Sequence, residues 1–328
     1  MKVKNKIILV FIISIISVTI SFSQTGIQKV GTTSFQFLKI KADARATAMG
    51  EAVTSVVNTS EAIFWNPANL SDVSDVDVSI SYLDWLFDIS HTAFSVAKSI
   101  SGYGTVGIHA MITDVGSVEE TRVDQLFRDE TTGLYNPGLT GKTVSPGSQV
   151  FGLSFSRYVT DKFSFGVTVK YAREDLVKHT ASSIIFDGGI TYRTGFRSLI
   201  LAAAIKEFGP DVTFVNKSYP LPQTLTIGFS AELLAPESAL FMQSDIGRLL
   251  VAFDMVEARD AAQQYHTGME FSMNDFFFLR GGYKINYYEQ GLTLGFGLEI
   301  FKTRIDYSFN DFGDYIEPIH RITFGWAK

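Results

Sequence analysis

Phe163-Ser164-Phe165-Gly166-Val167-Thr168-Val169-Lys170-Tyr171 places an apolar or aromatic residue at every odd position and Ser, Gly, Thr or Lys at every even one. In an extended chain successive side chains point to opposite sides, so this stretch is a strand with one greasy face and one small or polar face. The same rhythm sets Leu292, Leu294, Phe296, Leu298 and Ile300 against Thr293, Gly295, Gly297 and Glu299. It returns in Leu225, Ile227 and Phe229 around Thr226 and Gly228, and in Ile305, Tyr307 and Phe309 around Asp306 and Ser308. Fourteen segments carry it, near 76–84, 90–98, 103–113, 149–158, 163–173, 183–193, 198–206, 223–231, 248–257, 264–272, 276–285, 291–299, 302–310 and 317–326. Most run for eight to eleven residues, the span of a tilted strand crossing a bilayer. The even number suits a bacterial barrel.

The connections alternate between short and long. Thr160-Asp161-Lys162, Thr194-Gly195-Phe196-Arg197, Met273-Asn274-Asp275 and Phe301-Lys302 read as tight turns, whereas 114–148, 174–182, 207–222 and 311–316 are longer. With the first strand starting from the periplasm, most tight turns fall on that side and most long loops outside. The exception is 232–247, a long connection on the periplasmic side with room for a short helix. A soluble sandwich would also alternate, but three features favour lipid. Aromatics recur near strand ends (Tyr82, Trp85, Tyr103, Tyr158, Tyr171, Tyr192, Trp326), as in interfacial girdles. The polar faces are rich in Gly, Ser and Thr, which fits a crowded lumen. The N-terminus reads as an export signal: Lys2, Lys4 and Lys6 precede an apolar run from Ile7 to Ile20, and Ser21-Phe22-Ser23 offers cleavage before Gln24. No edge strand can stay unpaired in lipid, so the barrel must close on itself.

The 328-residue chain carries a formal charge of −6, 46% hydrophobic residues, 28 Phe, 27 Gly and no Cys. The acidic balance argues against a nucleic-acid partner, and the lack of Cys excludes disulfides, thiolate metal sites and a Cys nucleophile. The expected fold class is all-β: an antiparallel up-and-down transmembrane barrel of about 14 strands over 76–328, behind a signal peptide at 1–23. Residues 24–75 break the alternation. Ala42, Ala44, Ala46, Ala48, Met49 and Ala52 make a helix-prone stretch, followed by Ile63-Phe64-Trp65-Asn66-Pro67-Ala68-Asn69-Leu70. Lying before the first strand, this segment is placed to fold into the lumen as a short helical hatch.

At Arg45-Ala46-Thr47-Ala48-Met49-Gly50-Glu51-Ala52, followed by Trp65-Asn66-Pro67-Ala68, the chain resembles the PorV/PorQ family of the wider FadL-like group of outer-membrane barrels. Similar strand motifs follow in order: Phe165 to Tyr171, Phe186-Asp187-Gly188-Gly189, Leu221-Pro222, Gly268-Met269-Glu270-Phe271, Leu279-Arg280-Gly281-Gly282-Tyr283, Gly291 to Gly297, Asp306-Tyr307-Ser308-Phe309 and His320-Arg321-Ile322. The resemblance covers essentially 40–326. It implies a fourteen-stranded barrel in the outer membrane of a Bacteroidetes-like Gram-negative bacterium. PorV-type members act in type IX secretion, where they receive exported proteins; FadL-type relatives pass hydrophobic small molecules. The Asn66-Pro67-Ala68 match belongs to both branches. Where such barrels often end on an aromatic residue, this chain follows Trp326 with Ala327-Lys328.

Alternation turns Asp77, His109, Lys170, Asp187, Asp254, His266, Glu270, Arg280, Lys284, Glu299, Arg304, Asp306 and Arg321 inward, away from lipid, where a charge would cost about 2–4 kcal/mol at the midplane. Arg280, Lys284, Glu299, Arg304, Asp306 and Arg321 fall on the last four strands and are expected as one mixed-sign lumen cluster. Ion pairing across strands and to the hatch is the plainer role; binding an anionic headgroup or peptide carboxylate is the sharper one. Trp65, Asn66, Pro67 and Ala68 form the hatch motif, with gating or anchoring weighed against plain turn chemistry. Enzymatic readings find no support: five scattered histidines lack metal-ligand spacing, and Gly152-Leu153-Ser154-Phe155-Ser156 misses the nucleophile elbow. An acidic patch of Asp306, Asn310, Asp311 and Asp314 reads as a solvated loop before it reads as a calcium site. No cofactor is expected. Loop 114–148, long and of mixed charge, is the most partner-like segment. Two functions follow. One is a secretion component that binds exported cargo or partner subunits. The other, the alternative, is a passive route for hydrophobic small molecules, for which a lumen packed shut would count against it.

Overall fold

The computed structural model describes residues 31–41, 43–86, 89–128, 131, 133–288, 290–313 and 317–328. The expected signal peptide, its cleavage site, Ala42, Asp129, Glu130 and Asp314 lie outside the described residues.

Fourteen strands build the wall: β1 (Val76–Asp84), β2 (Ser90–Ile100), β3 (Gly104–Asp114), β4 (Gly147–Tyr158), β5 (Phe163–Asp175), β6 (Thr180–Arg193), β7 (Ile200–Phe208), β8 (Thr224–Ala235), β9 (Gly247–Ala258), β10 (Gln264–Met273), β11 (Phe277–Ile285), β12 (Leu292–Ile300), β13 (Thr303–Asn310) and β14 (Ile319–Ala327). Each pairs antiparallel with its sequence neighbours, and β14 returns to β1 from Asp77↔Ala327 to Leu83↔Arg321. The closed antiparallel barrel read from the sequence is therefore the fold. No helix among the described residues is long and apolar enough to cross a membrane.

Burial follows the alternation. On β4, Phe151 and Leu153 are exposed, Leu153 at 67%, while Ser154 and Ser156 are buried. On β12, Leu292, Leu294 and Phe296 face outward and Thr293 is enclosed. A belt of this kind is stable only against lipid. The apolar core consequently lies in the hatch rather than in the wall. Ala46, Met49, Val53, Val57, Ile63 and Leu70 form its main cluster, to which the wall adds Ala97, Ala252 and the half-buried Leu250. Each large side chain so enclosed is worth about 1.5–3 kcal/mol against exposure.

The hatch is made of short pieces: a 3-10 turn at Gln36–Lys39, α1 (Ala44–Ala48), α2 (Ala62–Trp65) and a 3-10 turn at Pro67–Asp72. Helix propensity over 42–52 delivers only α1, because the chain turns at Gly50 with φ +64. A Cβ on Gly50 would fall 2.8 Å from both the Thr267 oxygen and the Tyr283 nitrogen, so the turn presses directly on the wall backbone.

Two connections differ from expectation. Segment 114–148 is a two-stranded hairpin, Val118–Arg128 against Tyr135–Val144, whose irregular register hides it from a period-two reading. Segment 232–247 carries no helix. Met242–Gln243 instead pairs parallel with Leu234 and Ala235 at the end of β8, held there as Leu240 N donates to Glu232 O (2.8 Å).

Candidate functional site

Residues 31–75 run the length of the lumen. At the mouth bearing the longer loops, Thr33 Oγ1 and Lys39 Nζ donate to Asp260 Oδ2 (2.6 and 2.5 Å), and Ser34 N donates to Pro220 O (2.9 Å). Phe35, Phe37 and Leu38 pack there with Val150, Ile185, Val212 and Leu221. The segment then descends through α1 and α2 to β1 at the opposite mouth. We call residues 31–41 the strap and 43–75 the hatch.

Asn66 is the hub of the hatch. Its Nδ2 donates to Thr54 O (2.9 Å), to Thr191 Oγ1 (3.0 Å) and to Ile190 O (3.3 Å), while its Oδ1 accepts from Ala68 N (3.1 Å). One fully buried amide thus ties the hatch to itself and to β6. Pro67 and Ala68 lie flat on Gly166 of β5, where any side chain would overlap their peptide. Ser156 Oγ donates to Ala68 O (2.8 Å). Trp65 is buried, donates from Nε1 to Asp43 Oδ2 (3.0 Å), and has Lys41 and Lys206 ammonium groups 5.7 and 5.2 Å from its ring centroid. A fourth anchor is Asp254, turned inward by the alternation but without an assigned partner there: its Oδ2 accepts from Val53 N, Thr54 N (both 2.9 Å) and Thr54 Oγ1 (2.7 Å).

The six charges on the last four strands do not form a single cluster. Arg280 and Asp306 meet at 2.5 Å, and Arg280 also holds Glu270 (2.6 Å), which in turn holds Arg45 of α1 (2.9 Å). Arg304 instead turns to Asp77 of β1 (2.8 Å), whose Oδ1 accepts from Ser60 N (2.9 Å). Lys284 pairs with Glu51 of the hatch. Arg321 donates to Lys41 O (2.7 Å) and to Asn310 Oδ1. Glu299 has no ion pair among the described residues. Sequence reasoning found the wall charges because alternation exposes them. It missed their hatch partners Arg45 and Glu51, since no period marks a side chain on an irregular segment.

Two hatch carboxyls are strongly perturbed. Burial opposes ionisation of Glu51, but Lys284 overrides it and draws the group down to about 2. Glu61 has no such partner. Burial first, and then the Asp43 carboxyl, push it up to about 8, and its Oε1 accepts no hydrogen bond among the described residues.

Two separate voids flank the hatch. Toward the short-turn mouth lies an open vestibule of about 990 Å³, walled by Arg45, Asp77, Arg193, Arg248, Glu270 and Arg304 among others. Above the hatch, a second void measures only about 20 Å³, room for about one water. Strap residues Leu38, Ile40 and Lys41, hatch residues Ile63, Phe64 and Trp65, and wall residues His109, Met111, Val150, Lys170, Asp187 and Glu207 enclose it. Here β7 bulges: Phe186 faces Phe208 and Gly188 faces Ile205, so Lys206 and Glu207 stand opposite Asp187 alone. Glu207 takes φ +60, its N–H donates to Asp187 Oδ1 (2.9 Å), and both Lys206 and Glu207 turn inward. Alternation predicts opposite faces for them, which is why the pair was missed. Lys170 sits between Asp187 and Glu207 at 2.8 Å from each. No group of His, Asp and Glu among the described residues could hold a metal ion.

No protein-family model matches this chain, and no curated protein sequence does. Solved structures do. The chain is similar to the P. putida toluene transporter TodX (TM-score 0.58, 12% identity, 86% of this chain and 97% of that one). It is similar to the CymD monoaromatic hydrocarbon channel (TM-score 0.56, 12% identity, 88% and 97%) and to a Pseudomonas aeruginosa FadL homologue (TM-score 0.51, 9% identity, 88% and 99%). At these identities the likeness is one of fold: a closed barrel of the FadL-like kind.

Proposed function

We propose that this chain is an outer-membrane channel of the FadL-like kind, a gated passive route for hydrophobic small molecules rather than an enzyme. The carrying observation is the void above the hatch, to which the strap and hatch present Leu38, Ile40, Ile63, Phe64 and Trp65 beside Lys41 and Asp43, and whose strap is held to the wall by non-covalent contacts alone. Among the described residues the lumen is packed shut, the finding that counts against passive passage through this state, so the reading takes the structure as the closed state and passage needs the strap and hatch to yield. The fold shared with hydrocarbon channels supports the reading. The experiment is a lock. Thr47 Oγ1 and Ser308 Oγ stand 2.9 Å apart between α1 and β13, and the chain has no cysteine of its own. The Thr47→Cys/Ser308→Cys variant, in proteoliposomes, should take up an apolar fluorophore slowly when oxidised and at the wild-type rate when reduced. Equal rates in both states reject gated passage.

A second reading, a component of type IX secretion, rests on the PorV/PorQ resemblance and on one observation. Among the described residues the strands of the hairpin Val118–Arg128/Tyr135–Val144 pair only with each other, and Val123, Phe127 and Tyr135 are exposed, as on an arm for exported proteins or partner subunits. Replacing 117–145 with a short Gly-Ser turn should then strand cargo in the periplasm of the native host. Normal surface cargo in that strain rejects this reading and leaves the first intact.

A further inference from the structure

His109 projects from β3 into the lumen, 4% exposed, at the edge of the void above the hatch. Neither ring nitrogen makes a hydrogen bond among the described residues, and Nδ1 is wholly enclosed. His91 and His266 each have at least one ring nitrogen met, although His91 Nε2 is enclosed and unmet as well. His91 Nδ1 is 2.8 Å from Thr113 Oγ1, and His266 Nε2 is 2.7 Å from Tyr287 Oη. An enclosed polar atom left unmet is costly, and of the two lumen histidines with an unmet ring nitrogen His109 is the one that lines the void. The ring's position is also built. Its register partner on β4 is Gly152, where any Cβ would overlap the imidazole, and Phe64 of the hatch stands edge-on at 5.3 Å.

We infer that this void receives an apolar molecule bearing one uncharged hydrogen-bonding group, of the phenol or alcohol type, with that group on His109. The inference rests on the channel reading and names its substrate class. The body of such a molecule would lie where Leu38 and Ile40 of the strap now pack, against Phe64, Met111 and Val150. Displacing the strap is required, because the void as it stands admits about one water. A carboxylate head would meet Asp43, Asp187 and Glu207 on the same walls; against these three stand Lys170, already shared by the last two, and Lys41, whose Nζ donates to Leu38 O (3.3 Å). A bare hydrocarbon would leave His109 as unmet as it is now. An imidazole, which always offers an N–H and in its neutral form also an acceptor nitrogen, suits a hydroxyl in either direction.

The test uses full-length protein in detergent and isothermal titration with three probes of one shape: 4-ethylphenol, 4-ethyltoluene and 4-ethylbenzoate. The wild type should bind the phenol about 2- to 10-fold more tightly than the methyl isostere, the span of one neutral hydrogen bond, and more tightly than the benzoate. His109→Leu should bring phenol and isostere within twofold while still binding the isostere, and His109→Asn should restore part of the preference. Heat-modifiable mobility on electrophoresis checks that each variant remains a folded barrel. A preference that survives in His109→Leu, or none in the wild type, means that water serves His109; the inference then fails while binding of the isostere keeps the channel reading. A benzoate bound most tightly overturns the uncharged headgroup. If none of the three binds, the channel reading falls and this inference with it.

Discussion

Asp254 and Glu61 are both buried acids in contact with the hatch, and they do opposite things. Asp254 collects three donors from Val53 and Thr54 on a single oxygen, the arrangement that makes a buried carboxylate worth keeping. Asp254→Ala strands two amide N–H groups at about 1–3 kcal/mol each. Amide hydrogen exchange at Val53 and Thr54 should accelerate at least tenfold in that variant, with the strand amides of β5 and β6 unchanged. Glu61 is surplus charge. It faces Asp43 from the strap end, Asp77 on β1, and Arg304 and Asp306 on β13, and only Thr59 Oγ1 donates to it (3.0 Å). With a folded pKa of about 8 against 4.5 for the free group, the folded protein holds a proton that the unfolded chain has released across that window. Stability therefore falls as pH rises from 4.5 to 8 and is flat beyond. Glu61→Gln should abolish that slope and make the hatch more resistant than wild type to protease at pH 9, by an amount on the order of a few kcal/mol. Equal slopes for variant and wild type would show that Glu61 is not the group responsible.

At the scale of elements, the strand glycines mark where the hatch touches the wall. Gly107 faces Ile63, Gly166 faces the Pro67–Ala68 peptide, Gly189 faces Asn66, and Gly268 and Gly282 face Met49 and Gly50. These positions fall on the inward face, where alternation calls for a small residue. The sequence showed a crowded lumen and a segment placed to fill it, without saying which hatch residue meets which glycine. Gly282→Leu should expel the Met49–Gly50 turn, leave the barrel closed, and raise single-channel conductance in planar bilayers; conductance equal to wild type would mean the lumen repacks around the new side chain. The strands were legible because lipid on one side forces a strict period on every one of them. The hatch elements were legible only as a region. Five and four residues are too few for a helix to persist alone, so α1 and α2 exist through distant partners: Arg45 with Glu270 and Thr47 with Ser308 for α1, and Phe64 O with Lys206 Nζ for α2. The β7 bulge was invisible for a related reason. It breaks the two-residue rhythm at Lys206 and Glu207, and nothing local announces it.

For the whole molecule, the distribution of apolar residues is inverted relative to a water-soluble barrel: large side chains outside, small and charged ones within, and a greasy core supplied by the plug. Leu153→Arg on the outer face should cost about 2–4 kcal/mol if that residue lies near the bilayer midplane, read as urea-induced unfolding from lipid vesicles, whereas Ser154→Ala beside it should cost under half as much. A smaller penalty for the arginine would place Leu153 near a headgroup layer. Finally, residues 31–75 lie inside a ring that β1 and β14 complete, with the strap at one mouth and Val76 at the other. A closed ring cannot be slipped over a chain already joined to its first strand, so the strap must either be lying in the trough of an open sheet when the two edges meet or be drawn through afterwards end first. The first route needs no passage of Phe35 and Phe37 through a finished bore. It makes seam closure between β1 and β14 the step that captures the plug, and any delay in laying the plug would appear as a barrel that forms empty.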